Sequence, residues 1–150
     1  PDEPEMIERL GEITQESHFL NCPVLGMIYP RGENLSIMDE DDTQGAAHAA
    51  RLAFELGCDV VKTKWTGSVE SFRKVTSAVP IPVLIAGGPA GSTTEETLTT
   101  VYLAMQAGGG GVCMGRSVFS HESPSKMVTA LRAIIHEGLE VKQAMDLAGL

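Results

Sequence analysis

One lysine of the chain stands where covalent chemistry is expected. Lys62 follows Val60 and Val61 at the end of an apolar run. Placing a lysine in a buried strand is unfavourable, and removing its amine from water favours the neutral, nucleophilic form. Lysines that form Schiff bases with carbonyl substrates occupy such positions. Lys64 has the same strand parity, so we expect it on the same side, where its charge further disfavours protonation of Lys62. The spacing alone also fits two exposed lysines at a strand end.

A tyrosine closes the preceding apolar run. Tyr29 follows residues 24–28 and precedes Pro30. A phenol at this position can move a proton to or from a substrate hydroxyl or a carbinolamine. The alternative is an aromatic plug whose hydroxyl faces water.

Three glycines and an arginine follow the last two predicted strands. Gly87-Gly88 follows one strand, and Gly115-Arg116 follows the next. Glycines let backbone N–H groups approach an anion closely, and arginine adds a forked donor. These residues predict a phosphate site, with two tight turns as the alternative.

No spacing of histidine or cysteine residues predicts a metal site. The four histidines are His18, His48, His121 and His136, and the three cysteines are Cys22, Cys58 and Cys113. We interpret the histidines as surface or packing residues, with His121 a candidate for lining the site. The odd number of cysteines and the absence of a CxxC pair indicate reduced, mostly buried thiols in a cytoplasmic protein. The acidic run 39–42 is expected to be a solvated loop that places negative charge before a helix, with a metal site as the alternative.

Helical and strand patterns alternate along the chain. The predicted helices span about 4–20, 43–56, 70–79, 93–107, 124–137 and 140–147, and the predicted strands are 24–29, 59–64, 82–86 and 111–114. Gly57 is expected to end the second helix in a left-handed conformation. Strict βα alternation predicts an α/β fold with parallel strands covered by helices. The continuous apolar run at 24–29 suits a strand buried on both faces.

The position of the polar signals separates two α/β architectures. Every predicted strand carries its polar or glycine-rich residues at its carboxyl end, as in a TIM (β/α)8 barrel. A doubly wound sheet concentrates such residues at one switch point, and no GxGxxG follows the first strand. A barrel needs about 250 residues. Residues 1–150 are therefore expected to form half of a barrel, strands 5 to 8, or to pair with another half.

Composition excludes several classes of protein. The chain has 150 residues, 43% of them apolar, and a formal net charge of −9, so it is an ordinary globular domain without a basic nucleic-acid-binding surface. The same acidity disfavours adhesion to an anionic membrane. No apolar run reaches the ~18 residues of a membrane helix, and no signal peptide is visible.

Five motifs taken together resemble a known family. In order, they are Tyr29-Pro30-Arg31-Gly32, Val60-Val61-Lys62-Thr63-Lys64-Trp65-Thr66-Gly67, Ser71-Phe72-Arg73, Ala86-Gly87-Gly88-Pro89 and Met114-Gly115-Arg116-Ser117-Val118-Phe119-Ser120-His121. The chain closely resembles the archaeal-type class I fructose-bisphosphate aldolases, a family that also includes 2-amino-3,7-dideoxy-D-threo-hept-6-ulosonate synthase. The resemblance covers the whole chain and matches the family's C-terminal half.

The resemblance implies a role for each matching residue. Lys62 corresponds to the Schiff-base lysine, and Tyr29 to the acid/base tyrosine. Gly87, Gly88, Gly115 and Arg116 correspond to the phosphate-binding loops. The resemblance implies no metal and no cofactor, because the iminium replaces them electronically. The family's first-strand aspartate has no counterpart in this sequence.

Three functions follow from the resemblance. The first is reversible cleavage of fructose 1,6-bisphosphate to dihydroxyacetone phosphate and glyceraldehyde 3-phosphate. The second is the transaldolase-type hept-6-ulosonate synthase reaction, which an assay with aspartate semialdehyde as acceptor separates from the first. The third is a non-catalytic half-barrel. A phosphorylated sugar is the expected partner, and a homo-oligomer the expected assembly.

Overall fold

The computed structural model describes residues 3–31, 43–87 and 92–150, which form an α/β fold. The strands are β1 (Leu25–Met27), β2 (Val60–Thr63), β3 (Val83–Ala86) and β4 (Gly111–Cys113). The helices are α1 (Glu3–Phe19), α2 (Thr43–Glu55), α3 (Val69–Thr76), α4 (Thr94–Gln106), α5 (Arg116–Phe119), α6 (Pro124–Glu137) and α7 (Val141–Ala148). All but α5 correspond to predicted elements. The acidic run 39–42 and Gly88 lie outside the described residues.

The four strands form one parallel sheet in chain order, β1-β2-β3-β4. The register places Lys62 between Met27 of β1 and Leu84 of β3. A doubly wound sheet reverses its strand order at a switch point, whereas neighbouring barrel strands follow one another. The order within the described residues is the one that a barrel segment would have, and the half-barrel itself stays a prediction.

In the described part of the chain, helices cover only one face of the sheet. Buried strand side chains alternate along the chain, and Val61, Val83 and Ile85 share one apolar core with helix residues such as Phe72, Leu98 and Ile134. The opposite positions are exposed or half-buried, and we call them the open face. It comprises Leu25, Met27, Val60, Lys62, Leu84, Ala86 and Cys113.

The prediction of a strand buried on both faces at 24–29 is wrong for this chain. The strand is shorter, Leu25–Met27, and its side chains at Leu25 and Met27 are 39% and 60% exposed. Both side chains are exposed because they stand on a face that no helix in the described part of the chain covers. Gly26 between them points into the core, where a Cβ would lie 2.8 Å from Cys58 Sγ.

Hydrogen bonds attach helix α1 to the amino-terminal edge of the sheet. Thr14 Oγ1 donates a 2.5 Å hydrogen bond to Leu56 O, next to Gly57, whose φ of +90° confirms the predicted left-handed glycine. Asp59 Oδ2 accepts a 2.7 Å hydrogen bond from Val24 N and lies 3.4 Å from His18 Nε2. The Val24 amide, and then His18, lower the pKa of Asp59 below its usual range.

The three cysteines occupy different environments and are all free thiols. Cys58 is buried, and that burial, with the neighbouring charge of Asp59, raises its pKa. Cys113 is half-buried and Cys22 is exposed, so the prediction of mostly buried thiols holds for Cys58 alone. Cys22 lies at the surface, three residues after the end of α1. Across the described ranges, no helix combines the length and apolar character needed to cross a bilayer.

Candidate active site

The parallel sheet brings the candidate residues to one edge. Carboxyl ends of parallel strands meet at the same side of a sheet, and the residues that follow β1, β3 and β4 lie there. Tyr29 follows β1, Gly87 follows β3, and Gly115 follows β4. Lys62 is the third residue of β2, one position before that strand ends.

Lys62 stands on the open face among apolar neighbours. Its register partners are Met27 and Leu84, and Val60 precedes it on the same face. The lysine is half-buried rather than buried, because its face carries no helical cover in the described part of the chain. Neither register position beside it carries a charged side chain.

Tyr29 lies beside the strand that carries Lys62. The pairing of β1 with β2 continues one residue past Met27, where Ile28 N donates a 3.3 Å hydrogen bond to Lys62 O. Tyr29 is the next residue and is half-buried. The guanidinium carbon of Arg31 lies 6.0 Å from the centre of the Tyr29 ring, at cation–π range. Tyr29 thus stands at the carboxyl edge of the sheet, two residues beyond Met27, the register partner of Lys62.

The loops after β3 and β4 touch each other at Gly87. A Cβ at that position would lie 2.8 Å from Ser117 Oγ and 3.3 Å from Met114 Cγ. No ordinary side chain fits at 2.8 Å, so glycine permits the close approach of the two loops. The sequence analysis did not single out Ser117, although it belongs to the motif that contains Gly115 and Arg116.

Helix α5 is the one element that the sequence analysis missed. It begins at Arg116 directly after its N-cap Gly115, and Gly115 O accepts hydrogen bonds from the amides of Val118 and Phe119. A helix of four residues is too short to show periodicity. Arg116 is exposed, which leaves its guanidinium available to an anion at this edge.

A cavity of about 290 Å³ lies where the strand ends meet α4. Its lining residues are Lys64, Trp65, Ala86, Gly87, Ser92, Glu96, Thr97, Thr100 and Met114. Lys64 follows the last residue of β2 and has no register partner in the sheet. The expectation that it shares the face of Lys62 therefore stays a prediction. The cavity places Gly87 at a concave surface, as a ligand-binding loop requires.

His121 joins the segment after α5 to the start of α4. Its Nδ1 accepts a 3.0 Å hydrogen bond from Ser123 N, and its Nε2 lies 2.8 Å from Thr94 Oγ1. Because Nδ1 is an acceptor, the neutral ring carries its hydrogen on Nε2 and donates it to Thr94. His18, His48 and His136 lie on helices, as predicted.

Carboxylate, thiol and imidazole groups do not converge in the described ranges. No group of three or more such side chains there is placed to hold a metal ion. The sequence-based expectation of a site without metal or cofactor stays a prediction.

Comparison with known proteins places this arrangement in a family. The profile of the DeoC/LacD family aldolases matches residues 1–121. A 2-amino-3,7-dideoxy-D-threo-hept-6-ulosonate synthase of Halobacterium salinarum is 44% identical over 149 residues, which are 99% of this chain and 54% of that protein. A 2-amino-4,5-dihydroxy-6-oxo-7-(phosphonooxy)heptanoate synthase of Streptomyces griseus is 37% identical over 134 residues, 89% of this chain and 48% of that protein. The chain thus spans about half the length of the curated relatives it matches.

Solved structures show the same architecture. An archaeal fructose 1,6-bisphosphate aldolase superposes with a TM-score of 0.82 and 34% identity, covering 91% of this chain and 54% of that one. A fructose-bisphosphate aldolase from Slackia heliotrinireducens, 24% identical, shares the fold with a TM-score of 0.87 over 99% of this chain and 49% of its own. The family match over residues 1–121 is extensive, and this chain belongs to the DeoC/LacD aldolase family.

Proposed function

We propose that this chain supplies the Schiff-base half of a class I aldolase site, with Lys62 as the nucleophile. The observation that carries the proposal is the position of Lys62. It lies on the open face, one residue from the carboxyl end of β2 and between two apolar register partners, Met27 and Leu84. Tyr29 follows the adjoining strand and is the only tyrosine of this edge within the described residues.

The proposed reaction begins with attack of the Lys62 amine on the C2 carbonyl of a phosphorylated ketose. Loss of water leaves an iminium, which accepts the electron pair of the C3–C4 bond when that bond breaks. Tyr29 takes the proton of the C4 hydroxyl, and the aldehyde product departs. Protonation of the enamine at C3 and hydrolysis of the iminium then release the ketone product and return the free amine.

The substrate phosphate is proposed to bind at the loops after β3 and β4. Gly87, Gly88 and Gly115 offer backbone N–H groups, and Arg116 offers a forked donor. The contact between Gly87 and Ser117 supports this assignment, because it holds the two loops within reach of one anion. Binding the phosphate at a distance from the reacting carbon orients the ketone toward Lys62.

The open face and the outer edges of β1 and β4 fit a chain that is the C-terminal half of a (β/α)8 barrel, over residues 1–150. In a complete barrel the open face is the interior, and the edge strands pair with neighbours. The whole active site then draws on strands 1 to 4, including the family's first-strand aspartate. We also propose a phosphorylated sugar as partner, no nucleic acid or membrane, no cofactor, a cytoplasmic location and assembly into a homo-oligomer.

Two reactions share the proposed chemistry. Fructose 1,6-bisphosphate cleavage is supported by the solved structures, which are 34% and 32% identical to this chain. The hept-6-ulosonate synthase reaction is supported by the 44% identity over 99% of the chain. That higher identity is the observation for which we keep the synthase reaction as a candidate beside the cleavage reaction. Both reactions need the same lysine iminium and differ in the acceptor aldehyde.

Trapping with borohydride tests the proposal. The protein is incubated with dihydroxyacetone phosphate and reduced, and the adduct is measured by mass. We expect an adduct with the natural chain and none with Lys62→Met, while Lys74→Met, on the exposed face of α3, keeps it. Turnover of Lys62→Met at the natural rate contradicts the mechanism. Product formation with aspartate semialdehyde, but not glyceraldehyde 3-phosphate, selects the synthase.

A well-folded chain that forms no adduct supports the third hypothesis, a non-catalytic half-barrel. The chain is then a half-barrel that lacks catalytic competence on its own.

A further inference from the structure

We propose that two copies of this chain pair through their open faces and strand edges and so close one eight-stranded barrel. The strands of each copy are parallel and follow chain order, β1-β2-β3-β4. A two-fold axis along the barrel places β4 of each copy beside β1 of the other, and every strand then has a neighbour on both sides. The inference concerns residues 1–150 as a separate chain. It goes beyond the proposed function and does not rest on the chemistry of Lys62.

One group of exposed apolar side chains lies on the elements that begin the fold. We call this group the first flank, and it comprises Met6, Ile13, Phe19, Leu20, Leu25 and Met27. Helix α1 carries most of these residues, and along its 17 residues it buries only Thr14. Because a helix in a protein is stabilised mainly by the packing of an apolar side, α1 has surface that a second body can cover.

A second group of exposed apolar side chains lies on the elements that end the fold. We call it the last flank, and it comprises Phe119 of α5, Val128 of α6 and Leu147 of α7. Within the described residues, α2, α3 and α4 expose no large apolar side chain. Helix α3 packs between α2 and α4, and α4 packs between α3 and α6. The uncovered apolar surface is therefore concentrated at the two flanks, where the two copies meet in the proposed pair.

The outer edge of β1 offers backbone groups for pairing. Val24 O accepts hydrogen bonds from the amides of Asp59 and Val60, and Ile28 N donates to Lys62 O. Because backbone groups alternate between the two sides of a strand, the amides of Leu25 and Met27 point away from β2. Within the described residues no strand pairs with this edge or with the outer edge of β4. Such an edge is a template for another parallel strand.

The open face has the composition of a barrel interior. Of its seven side chains only Lys62 is charged, and Lys62 stands one position before the end of β2, near the mouth of the closed pair. Four strands leave this face uncovered, whereas eight strands form a barrel whose interior is just wide enough for side chains to fill. Two copies supply that number.

Charge favours a second copy as the occupant of these surfaces. Helix α1 carries five exposed glutamates and one arginine, whereas α6 carries one lysine and one arginine with Glu137 as its one acid. In the closed pair α6 of one copy stands beside α1 of the other. The first flank is therefore complementary in charge to the last flank, while two first flanks facing each other would repel.

Analytical ultracentrifugation over a concentration series tests the proposal. We expect one-chain and two-chain species in exchange and nothing larger, because the two-fold arrangement uses both flanks of both copies. A chain that stays monomeric at every concentration overturns the inference, and so does an open series of larger oligomers. A monomer that still forms the adduct at Lys62 overturns this inference alone and leaves the proposed function standing.

Variants of the two flanks test where the copies meet. Ile13→Ser and Leu25→Ser should each raise the dissociation constant of the dimer about tenfold or more, because each lost apolar contact occurs at two symmetry-related seams. Arg132→Glu makes α6 acidic and should raise it several-fold. Leu103→Ser on α4 and Lys74→Glu on α3 are the matched controls, since both lie on middle helices, and they should dimerise like the natural chain. Equal dissociation constants for the flank variants and the controls contradict the proposal.

Hydrogen exchange tests the pairing of β1 with β4 of the other copy. The amides of Leu25 and Met27 should exchange slowly in the dimer and quickly at concentrations where the chain is monomeric. Met27→Pro removes an outward amide without removing a hydrogen bond to β2, so it should weaken the dimer more than Met27→Ala does. A dimer in which both amides exchange quickly overturns the inference. The midpoint of urea unfolding, measured for the monomer of each variant, separates weaker association from a damaged fold.

Discussion

Met27 is the register partner of Lys62 across β1 and β2, and both residues belong to the open face. Met27 contributes no charge, so the Lys62 amine has an apolar neighbour where a carboxylate would form an ion pair with its ammonium. The same is true on its other side, where Leu84 is the partner. The sheet thus keeps the lysine without a counter-ion at its two register positions, which suits a nucleophile.

A carboxylate at position 27 should slow the reaction of Lys62. Met27→Glu places an acid beside the ammonium and favours its charged form, so adduct trapping with dihydroxyacetone phosphate should become several-fold slower. Val128→Glu on α6, where Val128 is 51% exposed, is the control for net charge. If Met27→Glu is trapped at the natural rate, the apolar side chain at position 27 does not affect the reactivity of the Lys62 amine.

A methyl group at Gly26 should disturb the core, and a second substitution should repair it. The new Cβ would lie 2.8 Å from Cys58 Sγ, so Gly26→Ala should lower the free energy of unfolding by about 1–3 kcal/mol, as overpacking does. Cys58→Ala removes that sulfur, and the double variant should regain part of the loss. Urea unfolding of the two single variants and the double variant measures this, and strict additivity contradicts it.

The same logic applies to the contact between the two loops. In Gly87→Ala the new Cβ would lie 2.8 Å from Ser117 Oγ and 3.3 Å from Met114 Cγ, so these side chains, or the segments that carry them, must move. Phosphate affinity should fall about tenfold or more. Ser117→Ala removes the clashing hydroxyl, and the double variant should bind phosphate better than Gly87→Ala alone. The affinities are measured by titration with inorganic phosphate, with the amide shifts of Gly115 and Arg116 followed by NMR. Equal affinities for Gly87→Ala and the double variant would show that this contact does not set the spacing of the two loops.

Asp59 should make stability depend on pH in acid. Its pKa is lowered in the folded chain, first by the Val24 amide and then by His18, so its charge favours the folded state above the pKa of an unfolded aspartate, about 3.9. That contribution is lost as the pH falls through the lower folded value. Asp59→Asn keeps an acceptor but cannot titrate. The difference in free energy of unfolding between the two chains should be constant near neutral pH and shrink below about pH 4.

Urea unfolding from pH 3 to pH 7 checks this expectation. A difference that grows on acidification, or does not change with pH, contradicts it. Asp146→Asn on the exposed face of α7 serves as a control for the loss of one negative charge.

Local pattern was sufficient to predict the alternating elements and the edge of the sheet at which Tyr29, Lys62 and Gly87 stand. Strands and long helices carry periodic signals, and parallel strands align their carboxyl ends. The order of the strands followed from the barrel interpretation. The roles of these residues came from the family resemblance and not from the pattern.

Other features depend on long-range packing and had no local signal. The apolar residues Leu25 and Met27 look alike whether one or both faces of a strand are covered, so the open face was not predicted. Helix α5 has only four residues, too few for a period. The bond between Thr94 and His121 joins positions 27 residues apart, and only the folding of α4 and α5 around β4 brings them together.

Peptide mapping of the reduced adduct tests the central claim most directly. The protein is incubated with dihydroxyacetone phosphate, reduced with borohydride and digested, and the modified lysine is identified by mass spectrometry. The account predicts modification at Lys62, with Lys64 in the same peptide segment unmodified. Modification at Lys64, or at any other lysine with Lys62 left free, contradicts the assignment of Lys62 as the nucleophile.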